Sequence, residues 1–231
     1  MATSRLPNGL TTVVKKHNLG QFILPDPASS HVFFDDFDFF LNDGTTWTIT
    51  ITGSSTATVA NEDGGVLHLQ TGGSITDHVF VREPGKSFVV ENDKELWFTI
   101  LVEPQSDNKS LFVLGLQDGT VANDPFTVRS GIYFRSLSGT FDIFLVTNNG
   151  VGGGETTLLV SSIDYTLVPL KLGYYFDGKD RIKAYVDDNL VGILQQPNLP
   201  TVPIGVVMAS QTGESVVKDI HIDYIFAAKE R

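Results

Sequence analysis

Arg181-Ile182-Lys183-Ala184-Tyr185-Val186-Asp187-Asp188-Asn189-Leu190-Val191 decides the fold class. Ile182, Ala184 and Val186 alternate with Arg181, Lys183 and Tyr185, a period of two that sends one set into a core and the other toward water or a second layer. Asp187-Asp188-Asn189 then supplies turn residues, and Leu190-Val191 starts the chain back, so the segment predicts an antiparallel hairpin. The same period recurs outward from it. Trp47, Ile49 and Ile51 alternate with Thr48, Thr50 and Thr52, and Ile220, Ile222, Tyr224 and Phe226 alternate with Asp219, His221 and Asp223. Glu95-Leu96-Trp97-Phe98-Thr99-Ile100-Leu101-Val102 is apolar on both faces and predicts a central strand. Turn signals such as Asn42-Asp43-Gly44, Asp63-Gly64-Gly65, Asn92-Asp93, Asn148-Asn149-Gly150 and Asp177-Gly178 fall between these runs. Their frequency implies a dozen or more short strands, with no convincing helical stretch. The prediction is an all-β, antiparallel, two-sheet sandwich spanning residues 31–231.

Composition narrows the function classes. The chain has 231 residues, enough to bury a substantial core. It carries 16 Lys+Arg against 27 Asp+Glu, a net charge of −11 that argues against binding nucleic acid by phosphate neutralisation. The absence of cysteine excludes disulfides, thiolate zinc sites and a cysteine nucleophile. No apolar run approaches the roughly 18 residues of a membrane span, and Met1 to Asp26 has no continuous apolar stretch of the kind a secretory signal needs. The expectation is therefore a protein with no membrane and no nucleic-acid partner.

Residues 1–30 differ from the rest. Residues 1–25 hold Arg5, Lys15 and Lys16 and no acid. Pro7-Asn8-Gly9, Gly20, Pro25 and Pro27 interrupt any long helix or strand. Leu6, Leu10, Val13, Val14, Phe22, Ile23 and Leu24 are too apolar for an ordinary solvated tail. The segment reads as an extended docking arm, with Arg5, Leu6, Pro7, Leu10, Lys15, Lys16 and Phe22 as its expected contact residues.

Several motifs in order resemble a concanavalin-A-like or laminin-G-like jelly roll. These are Phe34-Asp35-Asp36-Phe37 with Trp47 after it, Gly64-Gly65-Val66-Leu67-His68-Leu69, Gly131-Ile132-Tyr133-Phe134, Gly173-Tyr174-Tyr175-Phe176-Asp177-Gly178, and the hairpin from Ile182. Over its full length the chain resembles a family of virion structural proteins of short-tailed bacteriophages. The two ends carry this likeness: Met1-Ala2-Thr3-Ser4-Arg5-Leu6-Pro7-Asn8-Gly9-Leu10 with Pro25-Asp26-Pro27, and Asp223-Tyr224-Ile225-Phe226-Ala227-Ala228-Lys229-Glu230-Arg231. The resemblance implies a non-enzymatic protein decorating or cementing the outside of the capsid. It would be made in the host cytoplasm, bind the major capsid or another virion protein, and form a homo-oligomer, a trimer for preference.

The alternatives are a carbohydrate-binding module, with a host glycan as partner, and a glycoside hydrolase. The hydrolase needs Glu91, Asp93 and Glu95, whose E-x-D-x-E spacing suits a retaining pair about 5–5.5 Å apart. Asn92-Asp93 reads instead as a turn between Phe88-Val89-Val90 and Leu96-Trp97-Phe98, which would split the acids across a hairpin. The glycan reading needs exposed aromatics, for which Tyr133, Phe144, Tyr175 and Tyr185 are candidates. Trp47 and Trp97 read as packing residues. Asp219, His221 and Asp223 on one strand face, and Asp35-Asp36, are weak candidates for a cation, so the expectation is no metal and no cofactor. Gly85-Lys86-Ser87 lacks the earlier glycine of a phosphate loop, Phe80 standing in its place.

Overall fold

The computed structural model describes residues 29–42, 44–60, 64–105, 110–119, 126–127, 129–150 and 154–231. Arg5, Leu6, Pro7, Leu10, Lys15, Lys16 and Phe22 lie outside the described residues. Fifteen strands account for the regular structure among those described: β1 (Ser30–Asp35), β2 (Thr48–Ile51), β3 (Thr56–Ala60), β4 (Val66–Gln70), β5 (His78–Arg82), β6 (Leu96–Pro104), β7 (Ser110–Gln117), β8 (Gly131–Ser136), β9 (Ile143–Asn148), β10 (Glu155–Ser161), β11 (Leu170–Phe176), β12 (Arg181–Val186), β13 (Asn189–Gln195), β14 (Gly205–Thr212) and β15 (Asp219–Glu230). None of the described residues is helical, so none forms a helix long and apolar enough to cross a membrane.

The strands form two antiparallel sheets. One runs β13-β12-β11-β6-β15-β4-β3, with β1 pairing the distal half of β15. The other runs β10-β9-β8-β7-β14-β5-β2. This is the predicted jelly-roll sandwich, with β6 central as its two apolar faces require. Its core lies between the sheets. Leu96, Phe98, Ile100 and Val102 of β6 face Phe112, Leu114 and Leu116 of β7 and Ile132 and Phe134 of β8, all essentially without solvent contact. Each such side chain contributes on the order of 1.5–3 kcal/mol of burial free energy. Tyr174 crosses the layer: it stacks on Phe98 with ring centroids 5.0 Å apart, and its hydroxyl donates to the Ile132 carbonyl of the opposite sheet at 3.0 Å. That bond satisfies the one polar atom the ring carries into the core.

The hairpin that decides the fold class forms as its sequence dictates. Asp187 and Asp188 both have positive φ, 49° and 64°, and Val186 pairs directly with Asn189, the signature of a two-residue turn twisted to match its strands. The aspartates hold this turn through their side chains: Asp187 Oδ1 accepts from the Lys171 amide at 3.0 Å, and Asp188 pairs with Lys171 Nζ at 2.8 Å. Gly65 has a different necessity. Its φ is +67°, and a Cβ there would lie 2.5 Å from the Phe37 carbonyl oxygen, so only glycine lets the chain pass under Phe37 into β4.

Two parts of the expected pattern change. Ile51, at the end of edge strand β2, is 48% exposed and not in the core. More consequential is a β-bulge in β15 between Ile222 and Tyr224, where the pairing with β6 shifts by one residue. Ile220 and Ile222 point into the core, but beyond the bulge Ile225 and Ala227 take that role. Tyr224 and Phe226 are turned to the outer face by the extra residue, so the simple alternation read along this segment does not hold through Asp223.

Candidate functional site

The start of β1 is held by the end of β15 and by the glycosidase-spaced acids. β1 runs antiparallel to the end of β15, from Ser30 opposite Glu230 to Asp35 opposite Ile225. The Arg231 amide donates to the Ser29 carbonyl at 2.9 Å, and Arg231 Nε donates to the Ser30 carbonyl at 3.1 Å. The segment 91–95 grips the same strand end. Glu91 pairs with Lys229, Lys94 Nζ donates to the Arg231 carbonyl, and the Glu95 amide donates to Glu230 Oε2 at 3.0 Å. Glu95 Oε1 accepts from the Tyr175 hydroxyl at 2.7 Å.

The acids therefore have separate structural partners. Asn92-Asp93 is the expected turn, with Asp93 at φ 60° and its amide donating to the Gly178 carbonyl. It does not close a hairpin: Phe88 bridges Ile204, and β6 begins only at Leu96. Gly178 in turn has φ +75°, and a Cβ there would meet the Lys94 nitrogen at 2.9 Å. The Lys229 ammonium, by hydrogen bonding and charge, holds the Glu91 carboxyl below its ordinary pKa. Burial, reinforced by the Glu95 hydrogen bond, pushes the Tyr175 phenol well above its ordinary value.

Asp35-Asp36, the other acidic pair, begins the turn out of β1. Asp35 Oδ1 accepts from the Phe37 amide at 2.8 Å and Oδ2 accepts from Trp47 Nε1 at 2.8 Å. Both oxygens are thus spent on holding Trp47 and Phe37, and the ring of Trp47 lies fully buried against Phe33, Phe37 and Phe40. Desolvation dominates at Asp35 and raises its carboxyl despite the two hydrogen bonds. A carboxyl raised on folding binds its proton more readily folded than unfolded. Its contribution to stability is largest near and below the unfolded pKa and is lost as pH rises through the folded value. Asp35→Asn removes that term and keeps an acceptor for Trp47. The stability of the parent relative to D35N is expected to fall as pH rises from about 4 toward neutrality, measured by urea unfolding of both at each pH. A difference that does not change with pH would contradict this.

The outward faces of the sheets carry the aromatic residues considered for sugar stacking, and most are covered. Tyr133 is 1% exposed, in a cluster with Phe80, Val113, Val146, Val207 and Ala209, over which Phe126 and Phe144 pack. The acid approaching this face, Glu155, is paired with Arg135 through two bonds of 2.6 and 3.3 Å. On the other sheet Trp97, Tyr175, Tyr185 and Ala228 form a second buried outer cluster, with Tyr175 and Tyr185 at 5% and 4% exposure. Trp97 does lie opposite Leu96, Phe98 and Ile100 as expected. Among the described residues the exposed aromatics are ones the sequence did not put forward for sugar stacking: Phe34 on β1 and Phe39 just after it, with Leu41 beside them in sequence. For Phe34 a signal was available, since the adjacent Phe33 and Phe34 of one strand must face opposite sides.

The structure replaces one member of the trio Asp219, His221 and Asp223. Asp219 and His221 are on the outer face, with His221 Nε2 3.3 Å from Asp219 Oδ2. They are joined by His68, directly opposite His221 in the β4–β15 pairing, its ring stacked on that of His221 with centroids 3.7 Å apart. Asp223 sits at the bulge, where burial and the nearby Asp36 raise its carboxyl. It lines a cavity of about 210 Å³ with His221, Glu103, Val66, Leu101 and Pro169. Lys86 of the Gly85-Lys86-Ser87 stretch is paired with Asp118 at 2.5 Å.

No family model and no curated protein matches the chain. Solved structures do. The laminarinase catalytic domain of Thermotoga maritima is similar with a TM-score of 0.63 at 13% identity, over 86% of this chain and 97% of that one. The β-glucanase of Bacillus licheniformis gives 0.58 at 15% identity, over 85% and 97%. The carbohydrate recognition domain of Emp46p gives 0.56 at 11%, over 84% and 93%. At these identities the likeness is one of fold: the chain is a concanavalin-A-like jelly-roll sandwich.

Proposed function

We propose that this chain is a non-catalytic virion structural protein that presents its sandwich outward and is anchored to the particle through residues 1–28. The observation that carries the reading is the closure of the sandwich at Ser29 and Arg231. The core, the β1–β15 pairing and the clamp from Glu91 to Glu95 are all formed by residues 29–231, and the basic, apolar composition of residues 1–28 suits that segment to a partner. Exposed Phe34 and Phe39 follow it closely in sequence and offer apolar surface on β1 and just after it. An arm that orders on docking gains apolar burial and charge complementarity against an acidic shell, and repetition on a symmetric lattice multiplies weak contacts.

The absence of hydrolysis is part of the same proposal. A retaining mechanism needs two carboxyls facing one substrate about 5–5.5 Å apart. Glu91 and Glu95 are instead engaged with Lys229 and Tyr175, on either side of a turn. Likeness in fold to a carbohydrate recognition domain favours glycan binding as a second reading, although Tyr133, Tyr175 and Tyr185 offer no exposed platform for it. The test is to band particles of the phage that encodes the chain in a density gradient. The protein is expected to co-migrate with them at a fixed ratio to the major capsid protein. Its absence from purified particles would overturn the proposal.

A further inference from the structure

We propose that His68, Asp219 and His221 form a binding site for a divalent transition-metal ion of the Zn²⁺ type, on the outer face of the β4–β15 pair. One ligand atom from each of the three residues lies within 4.8 Å of the others. Ligands of a tetrahedral Zn²⁺ at about 2.0–2.1 Å from the ion sit roughly 3.4 Å apart, so side-chain rotation alone closes the set. The backbone is already in place, because His68 and His221 are register partners in adjacent strands and Asp219 lies two residues before His221 on the same face.

The chemistry of the donors narrows the ion. Two imidazoles and one carboxylate suit zinc, cobalt, nickel or copper, whereas calcium and magnesium take oxygen ligands. His68 Nε2 is the second observation. It is buried and has no hydrogen-bond partner among the described residues, an arrangement that costs free energy unless the nitrogen has a use. Glu103 stands opposite His221 on β6, and Asp223 shares the neighbouring cavity, so the surroundings are acidic and favour a cation. Glu103 is itself oriented by Gln105 Nε2, which donates to Oε1 at 2.5 Å.

Coordination has a structural consequence that makes it measurable. A nitrogen lone pair lies in the plane of its ring, and the His68 and His221 rings stack 19° from parallel. A shared ion requires the rings to splay out of that stack and the His221 Nε2 contact to Asp219 to give way to metal bonds, with the remaining proton of each ring on its other nitrogen. Ion binding therefore reads out in the imidazole signals themselves.

The experiment is calorimetric titration of the full chain with ZnCl₂, followed by imidazole nitrogen NMR of the same protein with and without zinc. One Zn²⁺ per chain is expected, undiminished by excess Ca²⁺, with shifts at two of the five histidines. His68→Gln and His221→Gln are expected to weaken binding at least roughly tenfold, while His17→Gln and His78→Gln leave it unchanged. Co²⁺ in place of zinc is expected to give a visible spectrum that both ligand variants lose. No zinc binding in the millimolar range, or binding that survives both ligand substitutions, would overturn the assignment. If a ligand variant fails to fold, the parent's NMR decides: shifts confined to two rings support the site, and shifts at His17 or His78 or none at all refute it.

Discussion

Trp47→Ala is expected to lower stability by about 3–5 kcal/mol, the range for emptying a large buried aromatic site. Trp47 has no solvent exposure, and its ring meets Phe33, Phe37 and Phe40 at centroid separations of 5.6, 6.2 and 6.4 Å. It also donates to Asp35, whose other oxygen fixes the turn at Phe37. Alanine removes the ring and leaves the part-buried Asp35 carboxylate without one of its two donors, so cavity and desolvation costs act together. For a chain of this size, each kcal/mol moves the thermal midpoint by roughly 2–4 °C, which places the expected fall at about 6–20 °C. Trp47→Phe is expected to fall between the two, because it keeps much of the ring volume and loses only the donor. The measurement is calorimetric or circular-dichroism melting of the three proteins. A midpoint for W47A within a degree or two of the parent would contradict the role given to this cluster.

How much of this was legible in the sequence depends on the range of the interaction. The period of two is local, and with it the strands, the two-sheet class, the centrality of the 95–102 segment and the turn at Asn92-Asp93 could all be read. The bulge at Asp223 could not, because a bulge is a relation between β15 and β6 and leaves no mark on either strand alone. The outer faces of Tyr224 and Phe226 were misjudged for that reason. Glu91 and Glu95 illustrate the same limit. Their turn was legible, but Lys229 and Tyr175, which occupy them, come from strands far along the chain. Nothing local to His68 marks it for a site, and only register places it on His221; the burial of Trp97, Tyr175 and Tyr185 on an outer face likewise needs the neighbours that cover them.

The arm carries the largest functional effect expected. Residues 29–231 contain the pairing of β1 with β15 and both sheets with the core between them, so a chain starting at Ser29 is expected to fold and to melt cooperatively near the parent's midpoint. The same chain lacks Arg5, Leu6, Pro7, Leu10, Lys15, Lys16 and Phe22, the residues expected to meet the particle. Loss of an anchor that acts by avidity on a repeated lattice removes binding outright, because the individual contacts are too weak to hold alone. The most direct measurement is co-sedimentation of the full chain and of residues 29–231 with particles lacking this protein. The account expects the full chain to pellet at a fixed ratio to the capsid subunit and the folded 29–231 chain to stay in the supernatant. Equal pelleting of both, or of neither, would contradict it.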